Sequence, residues 1–291
     1  MPSNHPLHEK VTVALQNKHH LTVDPRWLDE FLATRGSNPP PLPAVVSTAQ
    51  FRILASDITT SLSPSPQDAL PSDVADVNVK GRRLSGTVIV QVLDVLDVGS
   101  SKWSQVEAIE RVERGEEVRG REVIRTVDIM DDEDGSGRDP SASAVTRPPT
   151  ATAPASRAIV SMPGRNISLG PHKLVVQDAR GTKAVAFELD KIPKIGISIS
   201  ALASPPGPHG DASSRPSSQD DIGMFIGCKL VLKPGTIVRR GMIMLQPQTC
   251  FMLGGKVEAW DKKWKEVRKQ KLNDIIQEEY DAAGNGTRTS R

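Results

Sequence analysis

Five short β-branched runs, set apart by turn residues, constrain this chain more than any other feature. LSGTVIVQVLDV (84–95), HKLVVQD (172–178), KAVAFEL (183–189), CKLVL (228–232) and TIVRRGMIML with TCFML (236–253) have the length and composition of strands. Ala179-Arg180-Gly181 supplies a hairpin loop between the second and third, and Pro234-Gly235 punctuates the fourth and fifth. The strands follow one another without βαβ spacing, so the sheet reads as antiparallel: a small five-stranded Greek-key barrel of the OB type.

Helices flank this barrel, which makes the fold class α+β. Between about residues 8 and 62 the apolar spacing is helical. Asp24 followed by Pro25 reads as an N-cap with proline in the first turn, and Trp27, Leu28, Phe31 and Leu32 follow at helical intervals. Gly36 sits where a C-cap glycine ends that helix. A third helix carries Val45, Thr48, Phe51, Arg52, Ala55 and Ile58, and a weaker one runs from Glu9 to Gln16. After the barrel, KVEAWDKKWKEVRKQK places Val257, Trp260, Trp264 and Val267 on one helix face, and residues 256–271 carry a net charge of +4.

Hydrophobic types make up 37% of the 291 residues and aromatics 3%, beside 23 prolines and 22 glycines, too little apolar content to pack the whole length. The deficit falls in residues 63–72, 131–158, 201–221 and the tail after Tyr280, which read as disordered. The expected organisation is a helical bundle over 1–62, a linker over 63–81, and the barrel over 82–269. Insertions at 99–170 and 198–221 interrupt the barrel, and a helix end and disordered tail occupy 270–291.

A formal charge of +2 excludes nucleic-acid binding driven by bulk charge, so any basic footprint is local. Two cysteines, Cys228 and Cys250, are too few for a disulfide framework and sit in apolar strand contexts. With no secretory leader ahead of them, they point to a reducing compartment. No apolar run reaches the length that spans a bilayer, so no membrane partner is expected. The acidic run Asp131 to Asp134 before Gly135 fails as a calcium loop, because Met130 stands five before the glycine and the distal glutamate is missing. Phosphate-cradling loops, HExxH, CxxC and GxSxG are absent and the six histidines are scattered, so no metal, no cofactor and no enzymatic activity are expected.

Two regions remain as candidate binding sites. Arg239 and Arg240 on the barrel, with Lys262, Lys263 and Lys265 on the closing helix, are candidate DNA contacts, against the plainer reading of a solvated helix face. Base stacking is disfavoured, since Phe187, Phe225 and Phe251 are the strand aromatics and serve equally as core. The other region is the insertion from Gly99 to Pro171, about 70 residues and far beyond ordinary loop length. Its first part, 99–127, mixes balanced charge with apolar residues. Val106, Ile109 and Val112 at spacing three suggest a helix with Ser104 as cap. Either this is an arm packed on its own barrel or it docks into a partner, and its amphipathic, charge-balanced character favours docking.

LTVDPRWLDEFL, STAQFRILASDI, QVLDVLDVGSSKWSQVEAIERVERGEEVRGREVIRTV, GPHKLVVQDARG and GCKLVLKPGTIVRRGMIML followed by LGGKVEAWDKKWKE resemble, in order, the fungal branch of the RecQ-mediated genome instability protein 1 family. The likeness covers roughly residues 21–62, 82–128 and 170–268. It implies a nuclear, non-enzymatic OB-fold subunit of a complex between a RecQ-family helicase and topoisomerase III, a type IA enzyme, which dissolves double Holliday junctions and limits crossovers. DNA, as junctions or single strands, is then contacted weakly or through the complex. In the family, the insertion after the first barrel strand reaches into the topoisomerase's central opening. By position, the resemblance assigns that contact to Gly99, Ser100, Ser101, Lys102, Trp103, Gln105, Val106, Ile109, Arg111 and Val112.

Overall fold

The computed structural model describes residues 5–35, 40–114, 168, 170–198 and 223–286. Four helices open the chain: α1 (His8–His19), α2 (Pro25–Ala33), α3 (Leu42–Leu54) and α4 (Ile58–Ser61). Asp24 caps α2 as its sequence predicts, its carboxylate accepting the Arg26 and Trp27 amides at 2.9 and 3.2 Å. The helix ends at Ala33 with Thr34 as C-cap, and the predicted cap Gly36 lies outside the described residues. The third helix ends at Leu54 with Ala55 as C-cap, so Ile58 opens α4 instead, and the inner face of α3 is Val45, Val46, Ala49 and Ile53. Phe51 is 70% exposed, because the i, i+1, i+4, i+8 positions form the more continuous apolar stripe. The bundle core of Val11, Leu15, Leu28, Leu32 and Ile53 continues onto the barrel through Ile89 and Val231.

The barrel is a curled eight-stranded sheet built from β1 (Arg82–Arg83), β2 (Val88–Asp97), β3 (His172–Asp178), β4 (Lys183–Glu188), β5 (Lys229–Leu232), β6 (Ile237–Arg239), β7 (Met242–Leu245) and β8 (Cys250–Gly254), in the order β1-β6-β7-β4-β3-β2-β5-β8. Every pairing is antiparallel except β4 with β7, which run parallel. The sheet has more strands than the five expected because the last block divides. At Arg240-Gly241 both residues take positive φ, 48° and 77°, and the chain reverses in a two-residue hairpin that splits TIVRRGMIML. Arg82–Arg83 adds a further short strand against β6. Inward residues such as Val90, Val92, Leu174, Val176, Leu230 and Ile243 fill the barrel. Cys228 and Cys250 lie in the same core, where burial pushes both thiols up to about 12.

Residues 63–81 are not a loose linker. Ala69, Leu70 and Val74 are buried, Leu70 and Val74 within the barrel core, and the Leu70 amide donates to the Asp178 carboxylate at 2.9 Å. The prolines suppress regular structure here but leave three apolar side chains free to pack, and a Cβ on Gly86 would stand 2.2 Å from the Gln67 carbonyl oxygen. Two buried polar side chains fasten bundle to barrel. Lys229 donates from Nζ to the carbonyls of Leu54, Ser56 and Gly227 at 3.0, 2.6 and 2.6 Å, and burial lowers its pKa to about 8. Gln91 accepts the Ile58 amide at 3.1 Å and donates to Asp57 at 2.7 Å.

Two further helices complete the structure, α5 (Lys102–Glu113) after β2 and α6 (Glu258–Gly286) at the end. Trp260 and Trp264 pack on the barrel as predicted, but Val267 is exposed, and the inward positions include Asp261, Arg268, Leu272 and Ile276. The helix end expected beyond residue 270 is packed through Leu272 and Ile276, and the helix continues to Gly286, past Tyr280 where the tail was expected to begin; residues 287–291 lie outside the described residues. Of the segments expected to be disordered, 131–158 and 201–221 fall outside the described residues.

Candidate functional site: the root of the first insertion

The insertion leaves β2 and returns to β3 through a neck where the two chain ends touch. Val98 donates its amide to the Pro171 carbonyl at 2.9 Å, and a Cβ on Gly99 would meet the Gly170 carbonyl oxygen at 2.1 Å. Gly170 has φ of 75° and stands against the His172 ring, so it too requires glycine. On the outgoing side, buried Asp97 accepts the Gly99 and Ser100 amides at 2.8 and 3.2 Å and the Ser100 hydroxyl at 2.8 Å. On the returning side, Ser168 Oγ lies 2.7 Å from His172 Nε2, and His172 Nδ1 lies 2.6 Å from Glu188 Oε2.

That Ser–His–Glu order matches a charge relay, but its remaining contacts are structural. Ser168 Oγ accepts the Ile197 amide at 2.7 Å, while Glu188 also accepts the amides of His172 and Ile192 at 3.1 and 2.9 Å. Burial raises the Glu188 carboxyl, yet these hydrogen bonds and the neighbouring His172 and Lys191 charges outweigh it and hold the pKa below the usual carboxylate value. His172 and Glu188 are shut away from solvent, so the trio fastens the returning strand and the 192–197 loop to the barrel. Sequence reasoning missed it by treating the histidines as scattered. The available signal is that β3 and β4 each alternate, which turns His172 and Glu188 inward together.

Beyond the neck rises α5. Its cap is Ser101, whose Oγ accepts the Ser104 amide at 3.1 Å, rather than Ser104 itself. Gln105 reaches back to the carbonyls of Asp97 and Ser100 at 2.9 and 3.1 Å. Val106 and Ile109, assigned by resemblance to the topoisomerase contact, are buried against Leu272 and Ile276 of α6 with Leu96 beneath them. The packed-arm reading thus accounts for the apolar face of this helix. Arg268 of α6 ties the arrangement together. Its guanidinium donates to the Val95 carbonyl at 3.1 Å and to Gln105 Oε1 at 3.0 Å, and stacks 4.4 Å above the Trp264 ring. Burial lowers its pKa to about 10 against the opposing pull of Asp94 and Asp97. Lys102 pairs with Glu279 at 2.8 Å, and Lys269 pairs with Glu110 and Glu113 at 3.2 and 2.8 Å.

What α5 presents outward is Trp103, 59% exposed, and Arg111, which pairs with Glu107 at 2.5 Å on the same helix face. The side chain of Val112 and residues 115–167 lie outside the described residues. The candidate DNA contacts occupy two elements. Arg239 ends β6 and Arg240 forms the following turn, both exposed. Lys262 and Lys263 face solvent from α6, while Lys265 is held by Asp261 at 2.9 Å and lies 5.5 Å over the Phe225 ring. Among the described residues no cluster of His, Cys, Asp and Glu has the geometry to hold a metal ion.

Known proteins share this architecture in the same order. The family model described as RMI1, N-terminal helical domain, matches residues 15–61, and that described as RMI1, N-terminal OB-fold domain, matches residues 70–203 and 216–268. RecQ-mediated genome instability protein 1 of Schizosaccharomyces pombe (strain 972 / ATCC 24843) is 25% identical over 246 residues, which covers 82% of this chain and 84% of that protein. The match takes in the bundle, the packed 70–81 segment, the barrel, the neck and α5 together, and the chain is a member of the RecQ-mediated genome instability protein 1 family.

Proposed function

We propose that this protein is a non-catalytic subunit of a nuclear complex between a RecQ-family helicase and topoisomerase III, and that it docks on the topoisomerase through the barrel and the root of its first insertion. The name of the fission-yeast relative supports a RecQ-associated role in genome stability. The observation that carries the docking reading is the mounting of α5. A helix at the base of the long insertion is fixed to α6 through buried Val106, Ile109 and Arg268 and leaves Trp103 facing solvent. An aromatic side chain on a rigid support, with Arg111 farther along the same helix face, has the make-up of a binding hot spot. Contacts of this kind that differ between two gate states shift the equilibrium between them, favouring strand passage, decatenation and dissolution of double Holliday junctions.

The test is a decatenation assay with topoisomerase III and either the wild-type subunit or Trp103→Ala. The variant is expected to fold as the wild type does and to lose most of the stimulation. Full stimulation by Trp103→Ala would overturn the assignment of this helix. A second reading, direct DNA binding, draws on Lys262 and Lys263, which face solvent on α6 without an ion-pair partner among the described residues. It expects junction binding in the absence of topoisomerase, weakening with salt by a slope of about −0.9 for each phosphate contacted.

A further inference from the structure

A second surface of the barrel is built for a ligand that neither the root of the insertion nor the family likeness accounts for. Register aligns the outward residues of five adjacent strands into rows. One row runs Lys173, Phe187, Met244, Ile237 and Arg83, and the next runs Val175, Val185, Met242 and Arg239. Side chains opposite one another in such rows stand about 5 Å apart, so the apolar members form one continuous band. The same rows continue onto β2 as Leu96 and Asp94, and there they are covered. Leu96 lies under α5 and α6, and Asp94 is bound by Trp264 Nε1 at 2.7 Å and by Lys271. The helices stop at β2. On β3, β4, β7 and β6 the band is left half-buried or exposed, with Met242 at 37%.

Away from the covered β2 end, the outward charges of these strands have one sign. Arg83, Lys173, Lys183 and Arg239 point outward around the band, whereas the carboxylates of the same strands, Asp178 and Glu188, are buried on the inner side. We propose that the face docks an acidic amphipathic segment of a partner protein. Its apolar side chains would lie on the Met, Val and Phe band and its carboxylates would meet the cationic rim. Two thioethers in the middle of the band suit adaptable packing against such a segment. A second copy of this chain would bring cations against cations. A single-stranded nucleic acid would find one aromatic ring instead of a row of stacking platforms, and cations at the border instead of along a track.

The test uses the full chain and three fluorescein-labelled probes: an 18-residue helical peptide with leucines on one face and glutamates elsewhere, the same peptide with lysines in place of the glutamates, and an 18-nucleotide oligothymidylate. The glutamate peptide is expected to bind at least tenfold more tightly than the lysine peptide. Met242→Glu is expected to weaken it at least tenfold, and the Lys173→Glu, Lys183→Glu double variant to reverse the preference. These positions point to solvent, so unfolding midpoints in urea should stay at the wild-type value, and Trp103→Ala should bind like wild type because α5 is a separate site. Equal binding of both peptides, no binding, indifference to Met242→Glu, or displacement of the glutamate peptide by the oligothymidylate at lower concentration would each overturn the proposal.

Discussion

Replacing Ile109 by alanine separates the two faces of α5. Ile109 is buried in a small cluster with Val106, Leu272 and Ile276, and the substitution removes three carbons from it. At about 0.8 kcal/mol per buried methylene the transfer loss is roughly 2.4 kcal/mol, and a residual cavity adds to it. The cluster is shallow and its neighbours can close in, so we expect a total near the low end of the core range, about 2–3 kcal/mol. That loss falls on the contact between α5 and α6 rather than on the barrel, whose core is separate. Local opening should therefore become about 30- to 140-fold more frequent at 1.4 kcal/mol per tenfold. Hydrogen exchange read by mass spectrometry checks this directly. Protection should fall in peptides covering 102–113 and 268–280 and stay unchanged over 172–178, while Trp103→Ala leaves all three alone. Both variants should lose stimulation of the topoisomerase, one by disordering the root and the other by removing a contact. If Ile109→Ala loses stimulation with exchange at the wild-type level, Ile109 faces the partner and the packing account fails.

Three further outcomes follow from buried groups. Lys229→Met strips the Leu54, Ser56 and Gly227 carbonyls of their ammonium donor and should cost about 3 kcal/mol in urea unfolding. The folded pKa of Lys229, about 8, lies below its unfolded value, so the unfolded chain binds more protons above pH 8, and the wild type should gain on this variant between pH 8 and 10. Glu188 is held below the usual carboxylate value, so its contribution is present above pH 4.5 and lost as pH falls through the folded value. Melting temperatures of wild type and Glu188→Gln should differ at pH 6 and converge as the pH falls further below 4.5. Cys228 and Cys250, buried and pushed up to about 12, should resist a thiol reagent at pH 8 until denaturant is added, and rapid native labelling would contradict their placement.

The strands were legible because β-branched runs bounded by turns leave few alternatives, and HKLVVQD coincides with β3 residue for residue. The turn at Arg240-Gly241 was not, since arginine seldom takes positive φ and nothing local marks it as Asn-Gly would. The segment 63–81 misled through composition: its prolines signal irregular backbone, but irregular backbone packs when Leu70 and Val74 have a barrel end to fill. At the site, the spacing of Val106, Ile109 and Val112 suggested a helix and the structure has one, with Trp103 exposed on it, while the inward turn of Val106 and Ile109 depends on α6, more than 150 positions along the chain, which no local period reveals.

The closing helix then changes meaning. Its charge of +4 over 256–271 suggested a DNA-facing surface, but acids of α5, of β2 and of the helix itself answer most of its cations. Lys269 is taken by Glu110 and Glu113 of α5, Lys271 by Asp94 of β2, Lys265 by Asp261, and Lys256 by Glu258 and Asp261. Arg268 is buried in the joint between α5 and the barrel. Of the seven cations, Lys262 and Lys263 remain without an ion-pair partner among the described residues, and two phosphate contacts give a salt slope of only about −2. A helix that uses its cations this way is a splint for the root of the insertion. For the docking proposed above, α5 fixed before any partner arrives would carry a lower ordering cost, which would make this helix, remote in sequence, part of the same site as Trp103.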